Sequence, residues 1–148
     1  MFCQYQKSAL PATERPEGWD GRYTADFSKL KSVNGGNAMW GFTWRSTPIG
    51  GWDFPSLSGL SGTACCYYAF AGSTIKPYAL SALKQVNGGY LMDYAFDWSS
   101  TAEDGDTPTN DGLHFDSLSS ITGTYAFNYA FTEVNFRNVY FPKLSSIT

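Results

Sequence analysis

The chain says nearly the same thing twice. "FSKLKSVNGG" at residues 27–36 returns as "LSALKQVNGG" at residues 80–89. Taking the leucine of each as an anchor uncovers more copies, at Leu30, Leu57, Leu83, Leu118 and Leu144, separated by steps of 27, 26, 35 and 26 residues. Every anchor has an apolar residue three places earlier (Phe27, Phe54, Leu80, Phe115, Phe141) and another three places later (Val33, Leu60, Val86, Ile121, Ile147). Glycine follows five places after the first four anchors, at Gly35, Gly62, Gly88 and Gly123. A unit of this length cannot bury its own apolar face. It forms a core only by stacking on its neighbours, which makes the chain a solenoid.

A second signal keeps step with the first. The triplet Tyr-Ala-Phe lies eleven to thirteen residues after the anchor in three copies, at residues 68–70, 94–96 and 129–131, and Trp40–Gly41–Phe42 stands one place early in the first copy. Its rings are expected to fill the space between the strand and the opposite wall. The long step carries an acidic, proline-containing insert at residues 100–112, which a solenoid accommodates as a surface loop. In the last copy Val139 and Phe141 are two residues apart, the period of a strand, and three-residue steps flank them as turns would. Strands are therefore expected to begin near residues 24, 51, 77, 112 and 138, paired in parallel, with the anchor leucines as an inward ladder. Residues 1–22, with Pro11, Pro16, Gly18 and Gly21, read as an N-terminal cap or irregular segment, and residues 23–148 as four full repeats and part of a fifth.

"NFRNVYFPKLSSIT" at residues 135–148 and the three Tyr-Ala-Phe triplets resemble the leucine-rich repeat, specifically the bacterial surface-antigen (BspA-like) type. The resemblance covers residues 23–148. It implies a β-rich α/β solenoid, a right-handed coil with a parallel sheet on one face and short helical or 3-10 turns on the other. It also implies a non-catalytic recognition or adhesion module, bacterial or phage in origin, that binds a protein or glycan through the sheet face.

Composition narrows the rest. Aromatic residues are 18% and charged residues 16% of the chain, against about 25% charged in typical globular proteins. With a net charge of −3, nucleic acid and anionic membrane are not expected partners. No run of about 18 apolar residues would span a bilayer, and the opening residues lack the apolar stretch of a secretory signal. Cell surface or virion is the expected location if the chain belongs to a longer one. Cys3, Cys65 and Cys66 suit neither a disulfide framework nor a zinc site and read as reduced thiols.

Chemistry-bearing residues are few. His114, the only histidine, lies between Leu113 and Phe115, so strand alternation turns it outward, with Asp116 on the same face. The pair reads as an acid–base couple in a groove or as a solvent-facing histidine, and the second reading is preferred because nothing completes a triad. Glu103, Asp104, Asp106 and Asp111 lack calcium-loop spacing and read as a solvated loop. No enzyme activity, metal or cofactor is expected. Four places before the anchors stand Asp26, Asp53, Ala79, His114 and Tyr140, so Asp53, His114, Asp116 and Tyr140 are the candidate binding residues. Trp44, Trp52 and Trp98 read either as sugar-stacking rings or, preferably, as packing. The alternative function is a structural subunit of a phage fibre or filament. Its copies would join end to end through Phe141, Leu144 and Ile147 at the C-terminal coil.

Overall fold

The computed structural model describes residues 27–41, 53–101 and 112–148. The N-terminal segment, Trp44, Trp52 and residues Glu103 to Asp111 lie outside the described residues. The described strands are β1 (Ser32–Asn34), β2 (Gly59–Ser61), β3 (Thr74–Ile75), β4 (Gln85–Asn87), β5 (Ser100–Thr101), β6 (Leu113–His114), β7 (Ser120–Thr122), β8 (Val139–Tyr140) and β9 (Ser146–Ile147). They stack as a parallel β-solenoid of about four turns. One sheet runs β1-β2-β4-β7-β9, and two pairs, β3-β5 and β6-β8, line other sides of the coil.

The sheet register reproduces the sequence steps. Ser32 pairs with Gly59, Gly59 with Gln85, Gln85 with Ser120, and Ser120 with Ser146. The ladder therefore continues undisturbed across the long step. The apolar rows align as expected. Leu57, Leu83 and Leu118 are fully buried, as are Phe54, Leu80 and Phe115, while Leu30, Leu144, Phe27 and Phe141 pack against this core from the outer coils. Phe27 stacks on Phe54 and Phe115 on Phe141, both at 5.0 Å between centroids.

The five-stranded sheet is not where the two-residue step placed it. Strands do occur near residues 112 and 138, as β6 and β8, but none begins near residue 77, and the positions near 24 and 51 are not described. The long sheet lies after the anchors, around Val33, Leu60, Val86, Ile121 and Ile147, in segments whose three-residue spacing reads as turn. Three residues suffice for a strand when each is only one rung of a ladder built across coils.

The glycines mark the corner after this sheet. Gly35, Gly62 and Gly123 have φ of 128°, 114° and 115°. A Cβ on Gly62 would lie 2.6 Å from the carbonyl of Gly35, and one on Gly123 equally close to that of Gly88. The corner demands glycine both for its backbone angle and because the coils touch there.

Beyond the corner comes a wall of overlapping turns, with no helix among the described residues. Its hydrogen bonds explain why. The N–H groups of Tyr90, Met92, Tyr94, Phe96 and Trp98 donate to the next coil, to Thr124, Ala126, Asn128, Ala130 and Thr132. The N–H groups between them, of Asp93, Ala95, Asp97 and Ser99, donate three residues back within their own coil. Alternate groups thus bond along and across the stack, and this part of the backbone is satisfied without a helix. The turns can alternate because every fourth residue is left-handed. Tyr90, Tyr94 and Trp98 have φ of 53°, 51° and 56°; Ala64, Tyr68 and Gly72 do the same one coil earlier, and Tyr125, Tyr129 and Glu133 one coil later.

This geometry divides the Tyr-Ala-Phe triplet. Phe70 and Phe96 are buried and stack at 5.4 Å, with Ala69 and Ala95 beside them. Phe131 stacks on Phe96 at 5.4 Å but is only half-buried. The tyrosines, expected to fill the interior, instead point outward and form a column of their own. Tyr68 stacks on Tyr94 and Tyr94 on Tyr129, each pair 4.9 Å apart. In the first coil Gly41, with φ of 58°, occupies the tyrosine column and donates to the Tyr67 carbonyl, while Phe42 lies outside the described residues.

Phe96→Ala is expected to cost about 3–5 kcal/mol in chemical denaturation, as for other buried phenylalanines. Gly62→Ala should cost more than about 1 kcal/mol, because alanine is strained at positive φ. Gly59→Ala, whose Cβ would meet only the Gln85 side chain at 3.8 Å, should stay within about 0.5 kcal/mol of the parent. Equal losses for the two glycine variants would contradict the close coil contact at the corner.

Candidate functional site

The candidate residues fall along one strip, on the side of the solenoid that carries β6 and β8. Leu113 and Phe115 are fully buried, so His114 between them is turned outward, half-buried as alternation requires. Parallel pairing sets His114 directly against Tyr140 of the next coil. Their rings stack at 4.3 Å with 24° between planes. The other face of the imidazole is covered by Tyr78, at 4.2 Å and 27°. Three successive coils thus contribute one ring each to an outward Tyr78–His114–Tyr140 column.

Tyr78 holds the place the repeat count assigns to Ala79. The Ala79 carbonyl accepts from Phe54 N–H of the preceding coil, whereas the Pro77 carbonyl accepts from His114 N–H of the following one. A one-residue slip separates the two faces of this segment, and the turn in which Ala79 N–H donates to the Lys76 carbonyl absorbs it. Ala79 is consequently buried and Tyr78 half exposed, at 51%.

Polar groups flank the column. His114 Nδ1 lies 3.4 Å from Asp116 Oδ1, an ion pair whenever the imidazole is protonated. Toward the N-terminal coils, Asp53 pairs with Lys76 at 3.8 Å, both side chains well exposed. The four sequence candidates therefore share one strip, but Asp53 belongs to an ion pair at its margin. Sequence reading missed Lys76 and Tyr78. Tyr78 is an aromatic one place from the expected register, and that adjacency is its only trace in the sequence.

Chemically the strip offers hydrogen-bonding tips, ring edges and charges of both signs. Among the described residues, no three of histidine, cysteine, aspartate and glutamate gather to hold a metal ion. Cys65 and Cys66 are buried free thiols, and the hydrogen bond that Cys66 donates to Cys65, together with burial, pushes the Cys66 thiol well up. Among the described residues no helix is long and apolar enough to cross a membrane. No family model, curated protein or solved structure matches the chain.

Rings held this close should couple energetically. In a double-mutant cycle, Tyr78→Ala and His114→Ala are expected to show an interaction of about 0.5–1.5 kcal/mol, the range for aromatic pairs. Additive losses would mean that the two rings merely lie side by side.

Proposed function

We propose that this chain is a non-catalytic recognition module, a leucine-rich repeat of the bacterial surface-antigen type, that binds a protein through the Tyr78–His114–Tyr140 strip. The observation that carries the reading is the column itself: three outward rings, one from each of three adjacent coils, with Asp116, Asp53 and Lys76 at its margins. Tyrosine on a rigid scaffold anchors protein interfaces well, since little conformational entropy remains to be lost. The stacking also favours protein over glycan as the ligand. A sugar ring needs an open aromatic face, and both faces of His114 and one face of each tyrosine are taken up within the column.

Selection of a random peptide library on the full chain, beside a glycan array, tests this reading. Peptides that bind the parent are expected to lose at least tenfold in affinity for Tyr78→Ala and Tyr140→Ala. Glycan binding alone, or peptide binding indifferent to both substitutions, would reject it.

The second reading is a structural subunit assembling end to end. It is favoured by Ile147, 70% exposed on β9, which has a strand neighbour on one side only among the described residues. An unpaired strand edge beside apolar surface is a template for association. Sedimentation should then show growth with concentration, abolished by Ile147→Lys.

A further inference from the structure

The turn wall carries a second outward aromatic surface, remote in function from the strip above. Its left-handed positions form three columns across coils: Asn37, Ala64, Tyr90 and Tyr125; Gly41, Tyr68, Tyr94 and Tyr129; and Gly72, Trp98 and Glu133. In the first two columns tyrosines stack on tyrosines. The third differs. Trp98 is 61% exposed, and its column neighbours are a glycine on one side and a glutamate on the other. Its indole is thus not enclosed in a ladder of rings, and glycine leaves space on the side of the preceding coil.

The charges beside it are all negative. Asp93, Asp97 and Glu133 are the charged residues of the described wall, and no lysine or arginine lies in it. Asp93 accepts a hydrogen bond from Asn128 at 3.1 Å. Asp97 has no such partner: its Oδ1 is sealed from solvent and makes no hydrogen bond. Burial, and then the neighbouring Glu133 carboxylate, push its carboxyl above the usual range. An uncompensated carboxylate pair is unfavourable in the free protein, and a cation placed between the groups would relieve it. An exposed indole is the best aromatic partner for that cation.

We propose that Trp98, Asp97 and Glu133 form a seat for a lysine or arginine side chain of a cationic protein segment, with the Tyr94–Tyr129 column as the adjoining contact surface. The guanidinium or ammonium lies over the indole and shares its charge with the two carboxylates. Left-handed backbone suits glycine or asparagine far better than a bulky ring, so the aromatic side chains at these positions carry a local conformational cost.

Fluorescence anisotropy with a labelled hexa-arginine peptide and the full chain tests the proposal, with a glycine–serine peptide as control. The parent should bind hexa-arginine at least tenfold more tightly than the control. Trp98→Asn, compatible with left-handed backbone, should weaken binding at least fivefold, and Trp98→Phe should restore most of it. Glu133→Gln should weaken binding while leaving the melting temperature no lower than the parent's, since it removes a like charge beside Asp97; this keeps the test valid if Trp98→Asn fails to fold. Tyr78→Ala, on the other surface, should have no effect. Binding that falls with Glu133→Gln but equals the parent in Trp98→Asn would reduce the site to general charge attraction and overturn the proposal. So would hexa-arginine binding no tighter than the control.

Discussion

Everything in this molecule depends on hydrogen bonds between successive coils. Along the five-stranded sheet they are ordinary parallel ladder bonds. Along the turn wall the same requirement persists without strands: alternate N–H groups reach the next coil, and the intervening ones close turns in their own. A continuous helix would direct all of its N–H groups back along its own axis, leaving none to bind the neighbour. The left-handed residue at every fourth place interrupts that path and returns alternate groups to the stack. Among the described residues no helix forms on this wall, only single turns that bond three residues back and never propagate.

Stacking in register turns each sequence position into a column. Inside, this produces the leucine row, the row from Phe27 to Phe141, and the Phe70–Phe96–Phe131 stack. At the corner it produces a glycine column, because a Cβ on Gly62, Gly88 or Gly123 would strike the backbone of the coil before. Outside it produces columns of tyrosine. Buried columns hold the coils together by apolar burial, at about 25 cal/mol per Å². Exposed columns add less to stability, which leaves their side chains open to use in recognition. The outward positions of the long sheet itself, including Ser32, Asn34, Gly59, Ser61, Gln85, Asn87 and Ser120, are uncharged and, Gln85 apart, small. They lack the aromatic and arginine anchors on which interfaces rely, so the two aromatic surfaces, rather than the sheet face, carry the functional argument.

The candidate strip was partly legible beforehand. His114 is outward because it sits between two inward apolar residues, and Tyr140 is outward because it holds the same place one repeat later. Both follow from period-two alternation and repeat spacing. Tyr78 was not legible, since a one-residue slip lets Ala79 face one coil and Tyr78 the other. Equal counting from the anchor has no means of detecting a slip that a single turn absorbs. The wall tells a similar story. "TYAFNYAF" at residues 124–131 contains a four-residue subrepeat, but only the backbone shows that its tyrosines are left-handed and outward while its alanines and phenylalanines are inward.

The sequence by itself determined that the coils stack, the spacing between them and the inward rows. These depend on which apolar residues recur at which interval, and a solenoid translates that interval directly into register. Only the tertiary structure decided where the long sheet lies, which aromatic rings face water, and which charges lack a partner. Strand and turn are set there by whether a backbone group finds its bond across the stack or within its own coil. That choice belongs to two coils at once, and no single repeat encodes it.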